Sequence, residues 1–478
     1  MRIPATGSRA ARALASLPRM KVTEESRGSA KWNSRPSFLH SDCWIARRIG
    51  RPAAGFLRTS PAGGIVLLVC AALALIWANS PVASSYQAVW GFEISLRFGD
   101  FELQHSFKDW INDGLMAVFF FVVGMEIKSE IVTGRLRNAR NAVAPVAGAL
   151  GGMAVPALIY TAFNAGGGAA HGWGIPMATD IAFAVGLLAL FGDRIPSPAR
   201  VFLLTLAIVD DLGAIAVIAV FYTDGLSTGW LLAAGTLIAA AVALRVLNVW
   251  SGPVYLVVGV LLWVVMLESG VHATIAGVAM GLILPSRPLL DPQRARAAAQ
   301  GHAEGGLTAE EHRRIAALVK NSAPPTDRLR TQLHPFSSFV VLPLFALANA
   351  GVPLSVDILG AAAASTVTLG VALGLVVGKF SGVLLATWIT VKTGAGRLPD
   401  GTGWQLMVGL AAVAGVGFTV ALFITELAFS GINVIHLTNE AKIGVLGGSL
   451  FSAGLGALLL ALGAPKRPAE VEGAEEGR

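Results

Sequence analysis

Charge is scarce in this chain. Asp, Glu, Lys and Arg make up 14% of its 478 residues, against about 25% in soluble domains, and the mean hydropathy of +0.65 is strongly positive. That shortage excludes an ordinary soluble globular protein and implies a membrane protein. Cysteine is scarcer still. Cys43 and Cys70 are the whole complement, too few for a disulfide framework or a cysteine-rich zinc site. A cleaved signal peptide fits poorly, because no short apolar core with a small-residue cleavage site precedes residue 60.

Long apolar runs are what the chain has instead. Runs of about 20 residues fall near 63–79, 107–128, 141–163, 174–192, 199–222, 228–247, 252–268, 270–284, 335–351, 366–391, 404–428 and 441–464. They predict an all-α polytopic membrane protein of about twelve spans, with 61–465 as one transmembrane domain. Glu268, Ser269 and Gly270 leave a very short connection between the seventh and eighth runs.

Loop charge sets orientation, because Lys and Arg stay preferentially on the cytoplasmic side. One set of connections carries Lys128, Arg135, Arg137, Arg140, Arg194, Arg200, Arg245, the basic loop 285–334, Lys392 and Arg397. The alternate set, with Asp100, Glu102, the Gly-rich 164–173, Asp224, Glu268, Asp357 and Glu440, is neutral or acidic. An even number of spans with both termini inside follows.

Residues 1–60 are rich in Arg, Ser and Ala and poor in acids, which predicts a disordered basic cytoplasmic extension near anionic lipid. An organellar transit peptide or a misassigned start codon would give the same composition. This segment and the inside loops account for much of the net charge of +7, so nucleic-acid binding is not implied. Between the first two spans, Phe92, Ile94, Leu96 and Phe98 alternate with polar residues up to Gly99-Asp100, and Phe101, Glu102 and Leu103 follow. Period two around a Gly-Asp pair predicts a small extracytoplasmic β-hairpin at about 92–103. An isolated hairpin is marginal, so it either lies on its own helix ends or pairs with a second subunit as a homodimer contact. Thr308 and Glu311 form a capping box that predicts a helix to about Lys320, ended by Pro324-Pro325. The Glu- and Gly-rich tail 466–478 is expected to be disordered.

Few polar groups sit deep in the spans: Thr179, Asp180, Asp210, Asp211, His272 and Lys379. A carboxylate at the centre of a spanning helix costs roughly 2.5–3.5 kcal/mol on insertion scales, and such groups mark ion or proton pathways. Adjacent helical residues point about 100° apart. Asp210 and Asp211 therefore cannot face one ion equally, and one of them requires a buried cation, for which Lys379 is the candidate. Gly174, Pro176 and Thr179 precede Asp180, and Gly415-Val416-Gly417 precedes Phe418-Thr419. Interrupted helices at bilayer depth are tolerated where they line a cavity, and two of them in corresponding halves point to a transporter's binding site. Close packing at glycines and simple helix capping by Asp180 are the alternatives. His272 lies among small and apolar residues and reads as a structural, hydrogen-bonded histidine rather than a proton relay.

From about Phe56 to Ala464 the chain resembles the NhaA family of bacterial sodium/proton antiporters. The stretches that carry the resemblance are Ile111-Asn112-Asp113 to Glu130, Ala178 to Ala184, Leu206 to Ile215, Gly270 to Thr274, Leu342 to Ala346, Gly378-Lys379 and Gly417-Phe418-Thr419. That family is a known example of inverted-repeat transporters. The resemblance implies three spans at about 141–222 inverted against three at about 366–464, with two broken helices crossing at an ion site. It implies electrogenic exchange of two protons for one Na+ or Li+ across the bacterial inner membrane, serving sodium and pH homeostasis, in a transporter rather than an enzyme.

Carried over by position, Asp211 is the principal Na+/Li+ and proton carboxylate, with Asp210 its partner and a counter-ion for Lys379. Asp180 and Thr179 become the charge-compensating pair. Burial and a second carboxylate both favour the protonated form of an acid in general, which lets proton and cation compete for the same oxygens. Oxygen ligands suit a hard cation, no soft ligands for a transition metal are present, and no cofactor is implied. Glu126, Glu130 and His334 match a pH-sensing mouth, but Ser129 replaces a basic residue there, and Arg330 and Thr331 replace an acid and a histidine. A passive cation channel and an intramembrane aspartyl protease are the rival readings. The protease needs two carboxylates facing each other across a water, which adjacent residues on one helix cannot supply.

Overall fold

The computed structural model describes residues 62–463, apart from positions 100, 138, 224, 250 and 287, most of 289–321, and 431–433. The basic extension 1–60, the tail 466–478 and most of the capped helix expected at 308–320 lie outside the described residues, while 310, 313 and 316–318 within it are helical. In chain order come α1 (Ala62–Ala78), α2 (Ala83–Trp90), β1 (Glu93–Phe98), β2 (Phe101–Ser106), α3 (Met116–Val132), α4 (Ala139–Asn164), α5 (Ile181–Ala189), α6 (Ser197–Phe221), α7 (Thr228–Val246), α8 (Gly252–Ser269) and α9 (Thr274–Ile283). Then follow α10 (Pro325–Phe336), α11 (Leu342–Asn349), α12 (Val356–Ala364), α13 (Thr366–Leu373), α14 (Lys379–Lys392), α15 (Trp404–Val413), α16 (Phe418–Ala428) and α17 (Ile435–Gly463). Among the described residues, eight helical stretches are long and apolar enough to cross a membrane, or up to ten when each of two bent pairs is one span.

Helix ends follow local chemistry. α1 stops at Asn79, whose amide donates to Leu75 O at 2.8 Å and to Val352 O at 2.8 Å. Pro81 lacks the N–H that would carry the helix on, and α2 leaves at 116°. Gly270 ends α8 in the left-handed region at φ 83°, a conformation without cost for a residue lacking Cβ. This turn makes the short α8–α9 connection possible. The run expected at 335–351 begins already at Pro325, continuing through a π turn at Ser337–Val341 into α11. A search for apolar runs misses 325–334 because that part is polar.

The hairpin forms with Phe98 opposite Phe101 and Glu93 opposite Ser106, turning at Gly99 with φ +64°. Arg97 and Glu102 pair across it at 3.0 Å. It rests on its own helix end, since the Trp110 indole donates to Ile94 O at 3.3 Å. Ser106 and Asp109 close a capping box, and a π turn at Trp110–Leu115 then runs into α3.

Small residues bring the spans together, as is usual where lipid removes the hydrophobic drive for helix association. Gly151 on α4 and Gly382 on α14 meet so closely that a Cβ on either would collide with the other's carbonyl oxygen. Gly124 of α3 packs in the same way against Val278 of α9, and Gly281 of α9 against Phe121. α7 and α8 keep much of their apolar surface outward, with Leu232, Val246 and Leu256 exposed, as lipid-facing helices do. One buried apolar cluster gathers residues of α3, α6, α11 and α16, and a second gathers α4, α6, α14 and α15. The polar residues Asp210 and Asp211 of α6 sit in a helix that contributes to both.

Candidate functional site

Two gaps in helical structure meet here. A 3-10 stretch, Gly168–Met177, ends at Ala178 in extended backbone, and α5 begins only after Asp180. The second gap lies at 414–417, where α15 and α16 meet at 41°. A gap in a helix frees backbone groups that must be satisfied inside the protein, and these two satisfy each other. The Asp180 N–H donates to Val416 O at 2.7 Å, and the Thr179 hydroxyl donates to Ala414 O at 2.8 Å.

Asp180 sits at the start of two helices at once. Its Oδ1 accepts the Phe183 N–H at 3.0 Å, capping α5. Its Oδ2 accepts both the N–H (3.0 Å) and the hydroxyl (2.6 Å) of Thr419, in the first turn of α16. A carboxylate at a helix N-terminus is stabilised by the unsatisfied N–H groups there. Asp180 is thereby a buried acid with its hydrogen-bonding demand met.

Lys379 comes from the facing helix. A π turn at Gly374–Gly378 immediately precedes it, and such insertions re-aim the side chains that follow. Gly152 of α4 lies beside its stem, where a Cβ would touch Lys379 Cδ at an ordinary 3.6 Å and collide with Val383 Cγ2 at 2.8 Å. The fully buried ammonium donates to Asp210 Oδ2 and, at 3.0 Å, to the Thr179 hydroxyl. Asp210 and Lys379 therefore neutralise one another.

Asp211 is treated differently. It is 1% exposed, yet neither of its carboxylate oxygens meets a hydrogen-bond donor among the described residues, and Asp210 Oδ1 likewise has none. The charged groups within its electrostatic reach are Asp210, Asp180 and Glu126, against Lys379. Three neighbouring acids against one base leave Asp211 without compensation. A buried carboxylate in such surroundings requires either a proton or a cation. Its oxygens and the likewise unpartnered Asp210 Oδ1 are hard donors of the kind that suits Na+ or Li+.

The structure thus brings Thr179, Asp180, Asp210, Asp211 and Lys379 together. Glu126 and Glu130 lie toward the far end of α3, against α10. There Ser129 Oγ reaches Asp327 Oδ1 at 3.4 Å, Arg330 lies within electrostatic reach of Glu126, and His334 is exposed. His272 is half-buried on a cavity of about 700 Å³ beneath the hairpin, shared with Asn112 and Asp113. Its neighbours in sequence are small and apolar, but its neighbours in space are not.

One cluster escapes a reading of the sequence. Glu426 on α16 is bridged by Lys108 at 2.7 Å and by Lys442 of α17 at 2.5 Å. A signal for it exists: Glu426 lies inside the 404–428 run and Lys442 inside the 441–464 run, and each needs a partner for the same reason as Asp210.

Comparison with known proteins places the chain in a family. Residues 54–460 match the model of the family described as Na+/H+ antiporter 1. Na+/H+ antiporter NhaA 3 of Frankia alni is 46% identical over 406 residues, covering 85% of this chain and 87% of the relative. NhaA 2 of Sorangium cellulosum is 46% identical over 422 residues, with 86% and 89% covered. NhaA of Rhodopirellula baltica is 43% identical over 437 residues, with 89% and 96% covered.

Proposed function

This chain belongs to the Na+/H+ antiporter 1 family, a family of multi-pass membrane transporters and not of enzymes, and from that premise we propose that it exports Na+ or Li+ in electrogenic exchange for protons, two per cation, at the Asp210–Asp211 pair. The observation that carries this reading is the buried Asp211 carboxylate, which has no donor on either oxygen among the described residues.

The stoichiometry follows from charge. In the proton-loaded site Asp211 holds a proton, and Asp210 with Lys379 makes a neutral pair. When Na+ takes the oxygens of both aspartates, Lys379 loses its counter-ion, and an unpaired buried ammonium gives up its proton. Asp211 and Lys379 then release one proton each for one cation bound. The two loaded states differ by one charge, which makes each cycle worth about 2.3 kcal/mol per 100 mV. Asp180, already hydrogen-bonded at two helix starts, offsets charge at the crossing.

On this reading the chain has about twelve spans, the 141–222 and 366–464 segments are inverted repeats, and the gaps at 178–180 and 414–417 are the broken helices of the two halves. It sits in the bacterial inner membrane with both termini cytoplasmic, pairs as a homodimer through the 92–103 hairpin, and senses pH at Glu126, Glu130 and His334. In inside-out vesicles with an acid interior, added Na+ or Li+ alkalinises the lumen, and Asp211→Asn abolishes the response. Unchanged exchange in that variant would remove Asp211 from the mechanism.

A further inference from the structure

The Lys108–Glu426–Lys442 cluster lies outside the ion site, on the cavity of about 700 Å³ under the hairpin. Its three members come from three parts of the fold. Lys108 belongs to the capped turn that follows β2, Glu426 to the last turn of α16, and Lys442 to α17. Each carboxylate oxygen takes one ammonium: Oε2 that of Lys108 and Oε1 that of Lys442. As a source of stability such a cluster is a poor choice, because desolvation consumes most of the Coulombic gain and apolar residues would do as well. What it supplies is one defined setting of the helices that carry it.

The helix it sets is the one that touches the ion site. Thr419, Phe423 and Glu426 are spaced four and three residues apart, so they share one face of α16. At one end the Thr419 hydroxyl and N–H hold Asp180. At the other, Glu426 holds the two lysines. Between them Phe423, fully buried, packs its ring 5.4 Å from that of Phe120 on α3 and 6.2 Å from that of Phe345 on α11. Phe423 also lines the cavity. Phe423 therefore lies along α16 between the cavity-lining Glu426 and the Thr419 that holds Asp180, and its fit against Phe120 and Phe345 depends on where α16 is held.

We propose that Glu426, clamped by Lys108 and Lys442, is a positioning residue that latches α16 and keeps Phe423 in place as the barrier between the hairpin-side cavity and the Asp180–Asp211 site. This rests on the ion-site reading above. Release of the latch lets α16 shift and opens the cavity to the site, as closure by a packed element with two discrete positions requires.

The test uses full-length protein in right-side-out vesicles with Cys43→Ser and Cys70→Ser and one reporter, Val420→Cys, a buried position on the ion-site side of Phe423. A small membrane-impermeant thiol reagent labels the reporter slowly in the parent. With Glu426→Gln or Lys108→Gln the rate rises roughly tenfold, as a shift of a minor open state into larger population would give, while Glu426→Asp, which keeps the charge, stays near the parent. Should Glu426→Gln fail to fold, Lys108→Gln decides, since Lys108 is only half-buried. Labelling unchanged in the folded variants overturns the latch. Asp211→Asn in the same vesicles separates the two claims: normal Na+/H+ exchange there overturns the ion site, whereas lost exchange there together with parent-like labelling in Glu426→Gln and Lys108→Gln overturns the latch alone.

Discussion

Lys379 and Asp210 are both fully buried, and each is tolerable only because of the other. Removing one member of such a pair leaves an uncompensated charge and costs about 3–5 kcal/mol, whereas removing both costs much less. Lys379→Ala and Asp210→Asn are each expected to lower the melting temperature in detergent steeply, and the double variant to fall short of their sum. Additive losses would mean that the two groups are not coupled in the folded protein. Thr179 joins the same network, accepting from Lys379 while donating to Ala414 O. Thr179→Val is expected to cost about 1–3 kcal/mol, because it removes an acceptor and leaves a buried carbonyl unsatisfied, and wild-type melting would show that the hydroxyl is dispensable.

At the scale of elements, the site depends on how closely α4 and α14 approach. Gly151 and Gly382 put the two backbones in contact, and that contact sets how far Lys379 reaches. Gly382→Val is expected to separate the helices, at a cost on the order of 1–3 kcal/mol or more, and to lower exchange with it. At Gly447 on α17 a Cβ would meet nothing, so Gly447→Ala is expected to leave exchange unchanged and to stabilise by about 0.4–1 kcal/mol. Equal melting of the two variants would contradict close packing at Gly382.

These elements also show how far the sequence can be read. A charge in an apolar run is an anomaly visible in one dimension, so Asp210, Asp211, Asp180 and Lys379 stand out from the order of residues alone. Gly and Pro mark the interrupted runs at 174–192 and 404–428. Pairing across the fold is not visible in that order: Thr419 reaches Asp180 across 239 residues and Lys108 reaches Glu426 across 318. The π turns at 110–115, 337–341 and 374–378 leave no compositional mark either, since one extra residue per turn changes registry and not hydrophobicity. The short helices α2 and α12 fall below the length that a search for spans detects.

For the whole molecule, the proposed function makes exchange a consequence of one pocket that holds either a cation or protons. On the electrogenic reading each cycle moves net charge, so collapsing the membrane potential with valinomycin and K+ is expected to change the exchange rate, and indifference to it would contradict that reading. In the dimer proposed above, the two-stranded hairpin is the template for pairing with a second copy. Its deletion is expected to shift the protein from dimer to monomer by light scattering while leaving exchange measurable, and an unaltered dimer would move the contact elsewhere. The most direct test of the shared pocket is calorimetric titration of purified protein with Na+ in two buffers of different ionisation enthalpy, which counts the protons released. Linkage requires that cation uptake expel about two protons where the site begins fully protonated; uptake that releases none at any pH would contradict competition for Asp210 and Asp211.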